Sequence, residues 1–405
     1  MIIEPRIRGF ICTTAHPDGC AWRVNQEVDH AVARRPSVDR GPRNVLIIGA
    51  STGYGLSSRV VAGASYGAST LGVFLERPPA DGRTASAGWY NDVALRRALS
   101  ARGRYATSVN GDAFADAVKD EVAGTIARDL GQVDLVIYSL AAPRRRHPET
   151  GRLHQSVIKP IGAPFTDRSV DTATGTVSDV TLESATDAEI EDTVAVMGGD
   201  DWRRWIERLD AESLLAPGAT TVAYSYVGPR LTWPIYHDGT IGRAKADLAA
   251  CARRLDDALA PLGGRALVSV NQAVVTQSSA AIPVVSLYLA LLRRAMAERG
   301  LTQGCIEQMQ RLFDEQLYAA GPPRTDADGL IRLDDLEQRA DVQHDVMRRW
   351  RTVTTANLEE VSDIRGYRRE FLKLFGFACP SIDYTAPTDP RAPANTEPAV
   401  SVPVL

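Results

Sequence analysis

Residues 44–55 read NVLIIGASTGYG. A four-residue apolar run, Val45 to Ile48, passes directly into Gly49-x-x-x-Gly53-x-Gly55. The pattern predicts a buried strand opening onto a glycine turn and then a helix. Gly49 suits the sharp turn off the strand, Gly53 leaves room for a pyrophosphate against backbone N–H groups, and Gly55 lets the helix pack close to the sheet. The helix N-terminus then faces an anion. A second apolar run, Leu71 to Leu75, ends in Glu76, twenty-one residues beyond Gly55. At about that interval an acidic residue bonds an adenosine ribose 2′-hydroxyl, so Glu76 predicts NAD(H) rather than NADP(H). A strand-turn-helix unit can carry glycines for geometry alone, so the reading rests on the loop, the spacing to Glu76 and two further strand ends together.

Those strand ends follow in order. A strand at Tyr105–Val109 leads to Asp112 and Ala113, and a strand at Val133–Tyr138 leads to Leu140 and Ala141. Strands alternating with helical stretches over 44–143 require a parallel sheet with crossover helices. The fold class is therefore α/β, a Rossmann-like doubly wound parallel sheet, with insertions and an added helical and loop region for substrate. Ligands in such sheets lie off the carboxyl ends of the strands, near the reversal of strand order. Asp112 and Ala113 are thus expected at the adenine, and Leu140 and Ala141 along the path to the nicotinamide. Judged alone, Asp112 reads equally as a helix cap and Leu140 as a core residue.

Beyond 143 the chain departs from a minimal nucleotide-binding unit. Residues 144–185 are polar and rich in Gly and Thr, which predicts short strands and loops. Arg144-Arg145-Arg146 reads as a solvated loop, or else as an electropositive mouth for a phosphorylated carrier. Thr186-x-x-Glu189 is a capping box, and Trp202 and Trp205 share one helical face, as core residues do. A strand at Thr220–Tyr226, a helix through Lys245–Leu259 and a strand at Ala266–Val270 complete the pattern. The apolar helix Ile282–Met296 reads equally as a lid facing an acyl chain and as a buried element. Asp326-x-Asp328-Gly329 lacks a full calcium-loop ligand set and reads as a turn. The expected organisation is one NAD-binding reductase domain over 1–384 (first half 44–143, insertion 144–215, catalytic part 216–384) and a flexible Pro/Ala/Thr-rich tail over 385–405.

A chain of 405 residues with net charge -4 and mean hydropathy -0.16 has neither the basic surface of a nucleic-acid binder nor an apolar span long enough for a membrane. Residues 1–20 lack a signal-peptide pattern. Five cysteines with no CxxC pair predict reduced, packed thiols and no metal site. A cytoplasmic protein is expected.

Tyr236 and Lys245 stand nine residues apart where an irregular loop enters a helix. A phenol and an ammonium facing one pocket suit reduction of a polarised double bond, because hydride delivery leaves charge on an oxygen that needs a donor at once. On spacing alone, Lys245 reads more readily as a surface charge; its place after the strand Thr220–Tyr226 of a dinucleotide sheet raises the catalytic reading. Same-fold alternatives are an NAD-dependent alcohol or sugar dehydrogenase and a non-catalytic NAD-sensing module.

The loop GASTGYG, Leu75-Glu76, GDA at 111–113, YSLAAPRRRHP, AVMGGDDW, AYSYVG and Tyr236-x8-Lys245 followed by AVVTQSSAAIP together resemble the trans-2-enoyl-CoA/enoyl-acyl-carrier-protein reductase family, a large-format branch related to short-chain dehydrogenases. The resemblance covers about 1–384. It implies NADH-dependent reduction of the trans-2 double bond of an enoyl-CoA or enoyl-acyl-carrier-protein in fatty-acid elongation, by a monomeric enzyme. By position it implies Tyr236 as proton donor, Lys245 on the cofactor and Tyr226 near the substrate. Gly49, Ala50, Ser51, Thr52, Gly53, Tyr54, Leu75, Glu76, Asp112, Ala113, Leu140, Ala141, Val274, Val275 and Thr276 are implied to hold NADH. The tail and the polar positions around Trp22 and His237 depart from the family pattern, which bears on acyl-chain preference.

Overall fold

A computed structural model of the protein describes residues 1–9, 11–36, 40–391 and 399–403. Eight strands form one parallel sheet: β1 (Asn44–Ile48), β2 (Ser69–Phe74), β3 (Ala106–Asn110), β4 (Val133–Tyr138), β5 (Leu215–Ser225), β6 (Arg265–Val270), β7 (Leu330–Arg332) and β8 (Val400–Ser401). Their order across the sheet is β7-β6-β5-β4-β1-β2-β3-β8. From β1 the chain builds outward through β2 and β3, then returns to β4 on the other side of β1 and builds the opposite way. The carboxyl ends of β1 and β4 therefore part at the reversal, the place where such sheets open a crevice.

Alternation along β1 decides the two faces. Val45 and Ile47 pack with the helices Pro17–Ala33, Gly53–Val60, Ala87–Ser100 and Cys305–Arg311. Leu46 and Ile48 pack with Asp116–Thr125, Asp200–Ala211 and Thr240–Leu259. Strands covered on both sides read as unbroken apolar runs. Trp202 and Trp205 are fully buried in the second of these layers, as their spacing predicts.

The first glycine turn is built from two close backbone approaches and two positive φ angles. Gly49 has φ +87°, and a Cβ there would lie 2.4 Å from the Ser139 carbonyl oxygen at the end of β4. Gly53 has φ +54°, and a Cβ on Gly55 would lie 2.0 Å from the Gly49 carbonyl oxygen. Gly55 is thus where the helix meets the strand end. The helix itself begins two residues earlier than the spacing suggests, at Gly53, with Thr52 extended at its N-cap and no side chain bonded to its first turn.

Residues 144–182 form two hairpins, Arg144–Arg146 with Leu153–Gln155 and Phe165–Val170 with Val177–Leu182. The solvated-loop reading of the arginine run needs correction at its centre. Arg145 is buried, and its guanidinium donates to the Ala195 carbonyl and to Asp200; only Arg144 and Arg146 are exposed. The predicted Thr186/Glu189 capping box is present. The apolar helix spans Val285–Ala297, and Leu287–Leu291 are fully buried. It packs with the helices Ala340–Thr352 and Ile364–Lys373 and with the second hairpin, in a core that includes Tyr236.

The flexible-tail expectation also changes. The Thr388 N–H donates to the Met1 carbonyl and Pro390 accepts from the Tyr90 hydroxyl. Val400–Ser401 then pairs with β3 as an eighth strand. An edge strand offers unpaired N–H and C=O groups, and the Val-Ser-Val of the tail takes them. Residues 392–398 and 404–405 lie outside the described residues.

Gly55→Ala places a methyl group inside the Gly49 carbonyl contact. Overpacking of this kind costs about 1–3 kcal/mol, so calorimetry is expected to show a lower Tm, and fluorescence titration a weaker NADH affinity. A variant with wild-type values of both would show that helix and strand end can separate freely.

Candidate active site

All the sequence-predicted site residues lie at the carboxyl ends of the parallel strands. After β1, Ser51 is buried and its hydroxyl donates to Glu76 at 2.7 Å. Glu76 follows β2, with its backbone clamped by the Asn110 side chain, which accepts from the Glu76 N–H at 2.8 Å and donates to its carbonyl at 2.9 Å. A Cβ on Gly88 would lie 2.0 Å from Glu76 Oε1, so the carboxylate is wedged between the glycine turn and the next helix. Burial raises its pKa, opposed by the Ser86 and Ser51 hydroxyls. The Asn91 amide donates to the Ser51 carbonyl at 3.0 Å and braces the turn from behind. Leu75 is 58% exposed, free to cover a flat ring from outside.

The adenine-side segment is held from below. Asp112 closes a turn, accepting from the Phe114 N–H at 3.0 Å; it does not cap the next helix, which starts at Asp116 with Ala115 at its N-cap and no side-chain cap bond. The Lys119 ammonium spends its three donors on the Ala113 carbonyl (2.9 Å), the Phe114 carbonyl (3.1 Å) and Asp201 (2.8 Å). Asp201 also accepts from Tyr138 at 3.1 Å. A charge pair this deeply buried is tolerated only when its hydrogen bonds are made. Through it, the helix Asp200–Ala211 sets the position of the loop after β3. Leu140 is half-buried and Ala141 exposed at the end of β4.

Beyond β5 the chain runs through Tyr226 and a short irregular segment to Tyr236, then enters the helix Thr240–Leu259. Gly242 lets that helix begin against the tyrosine, since a Cβ there would lie 2.4 Å from the Tyr236 carbonyl oxygen. The Tyr236 and Tyr226 rings meet edge to face with centroids 4.8 Å apart. Tyr236 is buried in the third core, and burial followed by the nearby Glu337 raises its pKa. Lys245 donates to the Tyr224 carbonyl at 3.0 Å and has no carboxylate partner among the described residues, leaving two N–H donors for a ligand hydroxyl. Burial lowers its pKa to about 8.

The segment after β6 closes over the glycine turn. Thr276 Cγ2 stands 3.7 Å from where a Gly53 Cβ would be, and the Thr276 hydroxyl caps the short helix Gln277–Ala280. Tyr54 donates to the Gln272 carbonyl and to the Gln308 side chain. Val274 and Val275 are half-buried beside them. The Tyr226 hydroxyl donates to Glu337 at 2.8 Å, so its ring, rather than its hydroxyl, is what remains to meet a substrate.

Most of the chain is similar to known proteins. Residues 2–81 match the NAD(P)H-binding domain of trans-2-enoyl-CoA reductase and residues 83–318 match its catalytic region. The enoyl-[acyl-carrier-protein] reductase [NADH] of Opitutus terrae is 56% identical over 97% of this chain and 100% of its own. The chain belongs to the trans-2-enoyl-CoA reductase family. The Coxiella burnetii enoyl-[acyl-carrier-protein] reductase [NADH] is 54% identical, covering 95% of each chain. Among solved structures, the Treponema denticola trans-2-enoyl-CoA reductase in complex with NAD superposes with TM-score 0.93 at 43% identity, over 96% of this chain and 98% of that one. The Clostridium acetobutulicum enzyme in complex with NADH gives TM-score 0.94 at 40% identity, over 98% and 100%.

A further match, residues 325–388, carries the description enoyl reductase FAD binding domain. The residues there do not fit a flavin. Its three glycines sit in the turn at 326–329, inside the helix Ile364–Lys373 and against the His16 carbonyl; none joins a strand to a helix to receive a phosphate. The helix Ile364–Lys373 has its first turn closed by Asp363, and Tyr367 and Phe371 on it are buried in the core.

Sequence reasoning missed Asn91, Asn110, Lys119 and Glu337. Their types carry no motif; each matters because of a partner far away in sequence. Glu76→Ala is expected to shift the NADPH/NADH ratio of kcat/KM toward NADPH by at least about tenfold, because the carboxylate repels a 2′-phosphate and like-charge contacts cost several kcal/mol. An unchanged ratio in parallel assays would place the ribose elsewhere.

Proposed function

We infer that the chain is an NADH-dependent reductase of trans-2-enoyl thioesters, an oxidoreductase acting on a carbon-carbon double bond. The observation that carries the reading is the phenol of Tyr236, buried beside the carboxyl ends of a dinucleotide sheet and without a hydrogen-bond partner among the described residues. The ring is buried while the hydroxyl is not among the buried unpartnered atoms, so the phenol has donor capacity open to a ligand.

NADH supplies the hydride when bound. The glycine turn and the uncapped first turn at Gly53 receive its pyrophosphate, and Ser51 and Glu76 hold the adenosine ribose. Lys245, anchored on the Tyr224 carbonyl, offers its remaining N–H groups to the nicotinamide ribose. Val274–Thr276 folds over the turn and excludes water. Hydride addition at the β-carbon places negative charge on the thioester oxygen. Tyr236 donates there, and the α-carbon is protonated directly or by tautomerisation. Donors aimed at a developing oxyanion in a dry site are worth far more than in water.

The relatives' names divide between CoA and carrier-protein substrates, and either thioester fits this chemistry. Fatty-acid elongation is the setting the family resemblance supports. The monomeric state is what the family resemblance implies, and the single-domain reading of 1–384 is supported by strands drawn from 44 to 332 into one sheet. Free cysteines at 12, 20, 251, 305 and 379 fit a reducing compartment such as the cytoplasm.

Tyr236→Phe is expected to lower turnover of crotonyl-CoA by about 10²–10⁴-fold; near-normal oxidation of NADH at 340 nm would remove the assignment. The Lys245 ammonium is present below its pKa of about 8 and lost above it. NADH affinity is therefore expected to weaken as pH rises through about 8, and Lys245→Met to abolish that limb; a limb unchanged in the variant would assign it to another group.

A further inference from the structure

Glu337 lies in the turn after β7 and is fully buried. No Lys or Arg pairs with it among the described residues. Its Oε1 accepts from the Tyr226 hydroxyl at 2.8 Å and the Tyr288 hydroxyl at 2.6 Å, and its Oε2 accepts from the Ala273 N–H at 2.6 Å. These partners come from three elements: the loop after β5, the helix Val285–Ala297 and the loop after β6. Tyr226 is the ring that stands against Tyr236. Ala273 immediately precedes Val274–Thr276, the segment that closes over the glycine turn.

A carboxyl buried without a cation is costly, and for stability alone well-packed apolar groups serve as well or better. Burial raises the pKa of Glu337 to about 7, with the three hydrogen bonds opposing. What a carboxylate does that an apolar group or an amide does not is accept on both oxygens at once. Two oxygens of one rigid group thus set two loops at a fixed distance from each other. One loop carries the ring behind the proton donor and the other borders the nicotinamide end of the cofactor site. Misplacement of reacting groups by about an ångström can cost about 10²-fold in rate.

We propose that Glu337 is a positioning residue for the reduction, holding Tyr226 against Tyr236 through one oxygen and the cofactor-covering segment through the other. The proposal rests on the assignment of Tyr236 as donor. Glu337 touches neither substrate nor cofactor in this scheme; it acts through Tyr226 and Ala273.

The two arms are separable in kinetics. The test measures kcat on crotonyl-CoA and the KM for NADH in Glu337→Gln, Tyr226→Phe and the double variant, because residues acting as a unit give non-additive effects. In the wild-type background Glu337→Gln is expected to lower kcat by about 10–100-fold and to raise the KM for NADH. In the Tyr226→Phe background the fall in kcat is expected to shrink below about threefold, while the rise in KM persists through the Ala273 arm. An equal fall in both backgrounds, or a Glu337→Gln kcat within about twofold of wild type, overturns the proposal. Should Glu337→Gln fail to fold, Tyr226→Phe alone decides: lowered kcat with unchanged KM for NADH supports the Tyr226 arm, and wild-type kcat overturns it. An additive cycle beside an inactive Tyr236→Phe sinks only the role of Glu337, whereas an active Tyr236→Phe sinks the catalytic reading itself.

Discussion

The approach of the Gly55 Cα to the Gly49 carbonyl is the constraint on which the rest of the molecule depends. It brings the first turn of the helix Gly53–Val60 onto the carboxyl end of β1. There the chain order of the sheet reverses, so two strand ends diverge and a ligand can enter between them. A helix whose first turn has no side-chain cap presents backbone donors and the positive end of its dipole to that opening. Three parts of the site are placed against this turn: Glu76 through Ser51, the 274–276 segment through Thr276 and Tyr54, and the end of β4 through the Ser139 carbonyl.

Around the turn, buried polar networks do the positioning. Asn110 and Asn91 hold Glu76 and Ser51, Lys119 and Asp201 hold the loop at Ala113, and Glu337 holds Tyr226 and Ala273. In a low-dielectric interior a satisfied polar network has one geometry and a broken one is costly. The region 144–215 is thereby tied to the nucleotide-binding half, since Asp201 on its last helix anchors the loop after β3 through Lys119.

Much of this was legible in the sequence because it is local. The run Val45–Ile48 with its glycines, the interval to Glu76 and the Thr186/Glu189 capping box each express an interaction within one or two adjacent elements. The arginine run and the tail were misread for the complementary reason. Arg145 is buried because Asp200 and the Ala195 carbonyl meet it from another part of the chain. The tail is ordered at Val400–Ser401 because β3 leaves an open edge; neither partner is near in sequence.

The sequence by itself determined the glycine turn after the first strand, the acidic residue at the end of the second, and the tyrosine and lysine at one loop-helix junction, since periodicity, glycine placement and spacing are properties of a short stretch. Only the tertiary structure decided which carboxyl lies near the Tyr236 phenol. Glu337 sits 101 positions beyond Tyr236 in the chain, and β7 carries it there by joining the sheet beside β6. A hydrogen bond between distant loops depends on where the sheet brings them together, and that position is written in no local pattern of residues.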